Sequence, residues 1–268
     1  MANGIIISIA NNKGGTGKTA TAVNLGHGLA RLGKKVLVVD NDHQANTTDI
    51  LLNGVQMMST LFELIDPNSE NPISPATCIY ETQIKNLYCL PNIDTTSSLE
   101  PLLIRSASNG RTLYILRDRL RDYVRENFDV TIIDNPPNLG TFLILSLFAS
   151  DFVIVPHQSG SKHSLTGLVR AINFIKGVRN EGNPDLRFLR LLITMVDRRT
   201  SICRSTISTA QKFLSENEIF KTTIPDNTIF QQAESSGQTI IKYRQQASGA
   251  QAYIQLAKEL IEILGTID

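Results

Sequence analysis

An apolar run, Gly4-Ile5-Ile6-Ile7-Ser8-Ile9-Ala10, leads through Asn11 into Asn12-Lys13-Gly14-Gly15-Thr16-Gly17-Lys18-Thr19, and this opens a stretch whose Val23, Leu25, Leu29 and Leu32 suit one helical face. Few folds accept that order. A strand over Ile5–Ala10, a glycine-rich turn and a helix over Thr19–Leu32, stopped at Gly33 and followed by a second strand over Lys35–Asp40, make one βαβ unit. Glycines at 14, 15 and 17 let backbone N–H groups turn inward, and the helix N-terminus adds roughly half a positive charge at the same point. The turn therefore reads as a phosphate loop. Lys18 would reach the β- and γ-phosphates of ATP, the Thr19 hydroxyl would take a position on Mg²⁺, and the amides from Gly14 through Thr16 and Gly17 to Ala20 would cradle phosphate oxygens.

Further apolar runs predict strands at Leu87–Leu90, Asp129–Asp134, Phe152–Pro156 and Phe188–Met195, and amphipathic stretches predict helices at Arg111–Asn127, Thr141–Ala149, Ser164–Asn180, Arg204–Asn217 and Ala247–Leu264. Alternation of this kind predicts an α/β fold, a single doubly wound and mostly parallel sheet flanked by helices, over residues 1–268. Segment 66–110, broken by Pro67, Pro72, Pro75, Pro91 and Pro101, is expected to decorate one sheet edge.

Composition excludes several classes. Cysteines at 78, 89 and 203 are odd in number and lack CxxC spacing, which supports neither a disulfide framework nor a zinc site. The first apolar run is far too short to span a bilayer and lacks a basic leader, so a cytoplasmic protein is expected. Net charge is only +1, but residues 162–221 hold eleven Lys/Arg against five Asp/Glu, a surplus of six that the rest of the chain offsets.

Lys13-Gly14-Gly15-Thr16-Gly17-Lys18-Thr19, with Asn12 where the usual phosphate loop has glycine, resembles the deviant loop of the ParA/MinD family of partition and positioning ATPases. Val36 to Asn46, with Asp40 and Asp42, is similar to that family's second motif, and Phe128 to Pro137, with Asp134, is similar to its Walker B strand and turn. Ile224-Pro225-Asp226-Asn227 and the stretch from Gly249-Ala250 to Leu260 resemble the ParA C-terminal region, so the likeness covers nearly the whole chain. It implies that Lys13 crosses the interface of an ATP-dependent homodimer to the partner's phosphates, that Asp42 orients the attacking water, and that Asp134 holds a magnesium-bound water while Asp40 supports the magnesium shell or the switch loop. It also implies that Met195 to Asp197 and Pro225 to Asn227 flank adenine. Departures are Ala20 for a second threonine, His43 for proline, Ala45 for glycine, and Asn135 and Asn138 near Walker B; none removes a charge the chemistry needs.

Three outputs compete within such a family: nonspecific DNA binding with an adaptor of ParB type, membrane binding by a C-terminal helix, and electron transfer through cysteine-held clusters. Residues 257–268 contain one basic and three acidic residues, which an anionic membrane would not attract, and no cysteine lies near the loop or Walker B. The basic surplus, including Arg198, Arg199, Arg204 and Lys221, favours duplex DNA gripped through phosphates and a nucleoid-associated protein. A metabolic P-loop enzyme that activates a carboxylate with ATP is the alternative of a different class.

Overall fold

The computed structural model of the chain describes residues 4–106, 112–160, 164–197 and 201–266. Its strands are β1 (Ile5–Ile9), β2 (Val36–Asp40), β3 (Tyr80–Glu81), β4 (Leu87–Leu90), β5 (Val130–Asp134), β6 (Phe152–Gln158) and β7 (Arg187–Thr194), in the spatial order β3-β4-β2-β5-β1-β6-β7. All neighbours run parallel except β3, which pairs antiparallel with β4 at one edge. The expected doubly wound, mostly parallel sheet is thus present.

The helices are α1 (Lys18–Arg31), α2 (Asn46–Leu51), α3 (Leu61–Ile65), α4 (Glu100–Ser106), α5 (Ile115–Asn127), α6 (Thr141–Ala149), α7 (Ser164–Glu181), α8 (Ile202–Ala210), α9 (Ile229–Ser235), α10 (Ile240–Tyr243) and α11 (Ser248–Leu264). Alternate strand residues point to opposite faces. Ile7, Ile9, Val36, Val38 and Ile132 pack under Leu25 and Leu29 of α1 and Tyr253, Leu256 and Leu260 of α11. Ile6, Leu37, Val39 and Ile133 turn the other way, onto Leu116, Leu120 and Val124 of α5 and Phe142 and Leu145 of α6. Val153, Val155, Leu191 and Ile193 meet Leu168, Ala171 and Ile175 of α7. Gly28 permits the close approach of α1 to α11, because a Cβ there would stand 3.0 Å from the Ala257 Cβ and 3.1 Å from the Tyr253 carbonyl oxygen.

Helix α8 stops at Ala210, short of the expected Asn217. The chain turns there, and Ser215 takes up a capping box, its N–H and hydroxyl both donating to Glu218 Oε2 at 2.9 Å, which starts a separate 3₁₀ turn at Glu216–Glu218. Of the helix expected at Arg111–Asn127, Arg111 lies outside the described residues and Thr112–Tyr114 is a 3₁₀ turn leading into α5. The apolar face of α11 is committed to α1 and the sheet, as the acidic C-terminal sequence implied. Among the described residues no helix is long and apolar enough to cross a membrane.

Candidate nucleotide site

Three ties fix the glycine-rich loop. Asn11 donates through Nδ2 to the Pro156 carbonyl at 2.6 Å and accepts the Lys13 N–H on Oδ1 at 3.0 Å, which moors the loop entrance to the end of β6. At the other side the Thr194 hydroxyl, at the end of β7, donates to the Thr16 carbonyl at 3.0 Å. Gly15 and Gly17 adopt φ of 69° and 85°, conformations that a side chain would strain, so the inward turn of the amides depends on glycine there. Helix α1 begins at Lys18, whose Nζ donates to the Lys13 carbonyl at 3.2 Å. Lys18 is only 7% exposed, and burial lowers its pKa against the opposing pull of the Asp134 and Asp42 charges.

Asp40 and Asp134 stand opposite each other in the β2–β5 register, at the ends of adjacent strands. Asp40 is fully buried. Its Oδ2 accepts from the Thr48 N–H at 2.8 Å and the Thr48 hydroxyl at 2.7 Å, and its Oδ1 accepts from the Asp42 N–H at 3.2 Å. These bonds place Asp40 beneath the segment after β2, as a support for it, and away from the lining of the pocket. Asp134 accepts the Thr47 hydroxyl on Oδ2 at 2.8 Å, while its buried Oδ1 has no hydrogen-bond partner among the described residues. Adjacent threonines thus hang α2 on both carboxylates.

Burial, reinforced by the neighbouring Asp134 charge, pushes the Asp40 pKa up to about 8. Burial pushes Asp134 up to about 6, opposed by the Thr19 and Thr47 hydroxyls. The two carboxylates are crowded at adjacent strand ends, and Asp134, with an orphaned oxygen and close to Thr19 and Lys18, suits a cation shared with phosphate oxygens and water. Their charges also cost stability when nothing neutralises them. Because the folded-state pKa of Asp134 lies above its ordinary 3.8, the cost is absent below about pH 4, grows through the interval and is complete above about pH 6. Asp134→Asn is therefore expected to stabilise the metal-free, nucleotide-free protein by about 2 kcal/mol at pH 8 and by little at pH 4. Urea unfolding at the two pH values measures this; an equal effect at both would dissociate it from the carboxylate's charge.

A cavity of about 450 Å³ runs from the loop across the ends of the strands. Gly14, Gly15, Gly17, Lys18, Thr19 and Ala20 form one end, with Asp42 and Pro137 beside them. Met195, Pro225, Asp226 and Asn227 line the cavity too, brought together by a bridge between Val196 and Pro225. Asn227 spends its side chain locally, donating to Ser248 Oγ at 3.2 Å and accepting the Ile229 N–H at 2.9 Å. Asp42 accepts the Gln44 N–H on Oδ1 at 3.1 Å, with His43 Nδ1 3.9 Å from the same oxygen. The sequence reading missed Gln44, Asn46, Thr194, Ile224, Phe230, Gln231, Glu234 and Tyr253, which complete the walls. Pro225 and Asn227 were the signal that could have pointed to α9, which begins two residues further on.

Other expected residues lie apart from the cavity. Thr16 is buried in the loop and contributes its backbone, Lys13 is exposed at the loop's rim, and Asp197 is outside the lining. Arg198 and Arg199 lie outside the described residues. Arg204 is exposed near the start of α8, whereas Lys221 is exposed beside α11, its N–H donating to Glu259 Oε1 at 2.8 Å. Arg190, from the same basic stretch, is turned inward to Glu259 at 3.7 Å.

Residues 4–188 match the AAA domain family. The chain is 35% identical over 258 residues to the sporulation initiation inhibitor protein Soj of Bacillus subtilis, covering 96% of this chain and 98% of that one. It is 33% identical over 259 residues to the chromosome partitioning protein ParA of Caulobacter vibrioides, covering 96% and 93%. Among solved structures, cobyrinic acid a,c-diamide synthase from Mycobacterium smegmatis with bound ADP and magnesium superposes with a TM-score of 0.82 at 26% identity, over 98% of this chain and 96% of that one. With likeness of this extent from end to end, the chain belongs to the ParA/MinD family of P-loop ATPases.

Proposed function

We propose that residues 1–268 act as one ATPase domain that binds Mg-ATP, dimerises on it, grips DNA nonspecifically in that state and positions a plasmid, chromosome or other cargo through an adaptor of ParB type, with slow hydrolysis as the reset. The observation that carries this reading is the single cavity in which a moored phosphate loop, Lys18 and Thr19 meet Asp42, with the Asp40–Asp134 pair directly behind. Phosphoryl transfer needs positioning and charge neutralisation more than covalent help from the protein. The loop amides and Lys18 bind the phosphates, Thr19 and Asp134 hold the metal and its water, and Asp42 orients the attacking water. Mg²⁺, when bound, would supply charge neutralisation at the phosphates. Met195 and Pro225 flank the base.

Lys13 supports the dimer in this reading. Its backbone is pinned inside the loop, with N–H on Asn11 and carbonyl on Lys18, so the exposed residue is held at a fixed point on the rim. A cation there can neutralise a partner's nucleotide, where two tetraanions would otherwise repel. Lys13→Ala is expected to retain ATP binding as a monomer and to lose ATP-dependent dimerisation, as read by light scattering. A fully dimeric variant would return Lys13 to an ordinary exposed lysine.

A carboxylate-activating synthase is the second reading, favoured by the superposition on the diamide synthase. It predicts ATP turnover that waits on a small carboxylate and ignores DNA. ATPase assays with and without duplex DNA, followed by sizing in ATP, separate the two.

A further inference from the structure

The pocket is more acidic than the phosphates of a nucleotide call for. Among the described residues its one lining cation is Lys18, against Asp42, Asp226 and Glu234. Asp42 stands near the phosphate loop, and Asp226 belongs to the Pro225–Asn227 turn already assigned to the base. Glu234 has no role so far, and among the described residues its carboxylate has no hydrogen-bond or ion-pair partner.

Its neighbours suggest one. Helix α9 places Phe230 and Glu234 four residues apart, hence on one face and about one turn, ~5.4 Å, from each other. Both line the cavity. The Phe230 ring stands edge-on to Tyr253, centroids 5.9 Å apart at 88°, and Tyr253 is fully buried with its hydroxyl 3.2 Å from that of Thr21 on α1. An aromatic wall backed by the core therefore has a carboxylate one turn along. A carboxylate can only accept hydrogen bonds, and phosphates have no donors to give it. A nucleoside has donors: the 6-amino group of adenine and the ribose hydroxyls.

We propose that Glu234 reads the nucleoside of the bound nucleotide, its carboxylate accepting a hydrogen bond from a nucleoside donor and so selecting ATP over nucleotides that lack that donor. This rests on the Mg-ATP reading above. Guanine has a carbonyl in place of the 6-amino group, so a carboxylate aimed at that position would meet lone pairs and disfavour it.

The test is titration calorimetry of the intact chain and of Glu234→Gln with the magnesium complexes of ATP, GTP, 2′-deoxy-ATP and tripolyphosphate. Glu234 is exposed in the absence of ligand, so the variant is expected to fold normally. In the native chain ATP should bind about tenfold tighter than GTP if the amino group is read, or about tenfold tighter than 2′-deoxy-ATP if the ribose is read. Glu234→Gln should erase most of whichever ratio is found and leave tripolyphosphate unweakened. The proposal is overturned if the variant weakens ATP and tripolyphosphate equally, or if every ratio is unchanged by it. Failure of the native chain to bind ATP and tripolyphosphate at all would instead bring down the Mg-ATP reading, and this one with it.

Discussion

Lys18→Ala is expected to weaken ATP binding by one to two orders of magnitude while the fold persists. The ammonium is held at the centre of the loop by the Lys13 carbonyl, and burial has already removed much of its water, so phosphate contact restores solvation that the free protein lacks. Losing a charge-assisted contact of roughly 1.5–3 kcal/mol weakens binding on the order of 10- to 150-fold, and leaves the Asp134 and Asp42 charges without their nearby cation. Alanine is a good first residue for a helix, so circular dichroism should be native-like. Calorimetry showing unchanged ATP affinity would sink the assignment of the phosphate loop.

Asp42→Ala should keep Mg-ATP and lose turnover by about 10²–10⁴-fold, the range for removal of a group that orients or activates the nucleophile. Its N–H remains available to Asp40, so the segment after β2 keeps that anchor. The variant should then stay in the proposed ATP dimer and provide the sample on which DNA binding is decided. Affinity for duplex DNA should fall with salt at a log–log slope of about −0.9 per phosphate neutralised, and ADP should weaken it. Replacing Arg198 and Arg199 together, or Arg204 and Lys221 together, by alanine should lower affinity for all sequences alike and flatten that slope without touching ATP. An Asp42→Ala dimer that ignores DNA at low salt but binds liposomes or nothing would refute the nucleoid reading and leave the ATP switch standing.

What the sequence reveals follows from how local each feature is. Strands buried on both faces appear as unbroken apolar runs, and the six expected ones are all in the sheet; β3, two residues pairing at one edge, offers no such run. The phosphate loop is legible for the same reason, since its turn, its charge and its helix lie within a few residues. Helix α2 is not: Asn46-Thr47-Thr48 has no apolar period, and its hold comes from hydroxyls reaching Asp40 and Asp134 on separate strands. The far wall of the cavity is hidden too, because Thr194, Phe230, Glu234 and Tyr253 come to the loop from well over a hundred positions away. The basic stretch shows the limit of reading charge along the chain, with Arg190 spent on Glu259 inside, Arg204 on α8 and Lys221 in the connection that precedes α9.

The packing of α11 across α1 has a consequence for the order of events during synthesis. Tyr253 closes the floor of a pocket whose loop is made at residues 14–19, and the same helix α1 is tied through Asn24 to the Ile240 N–H at 2.8 Å and through His27 to the Thr239 hydroxyl at 2.7 Å. Contacts between such distant parts of the chain form slowly, since loop closure must precede them. On the ribosome the phosphate loop would emerge early yet lack its floor until residues near 253 had left the exit tunnel. The complete lining of the pocket is therefore assembled only when α11 docks on α1, late in the order of emergence.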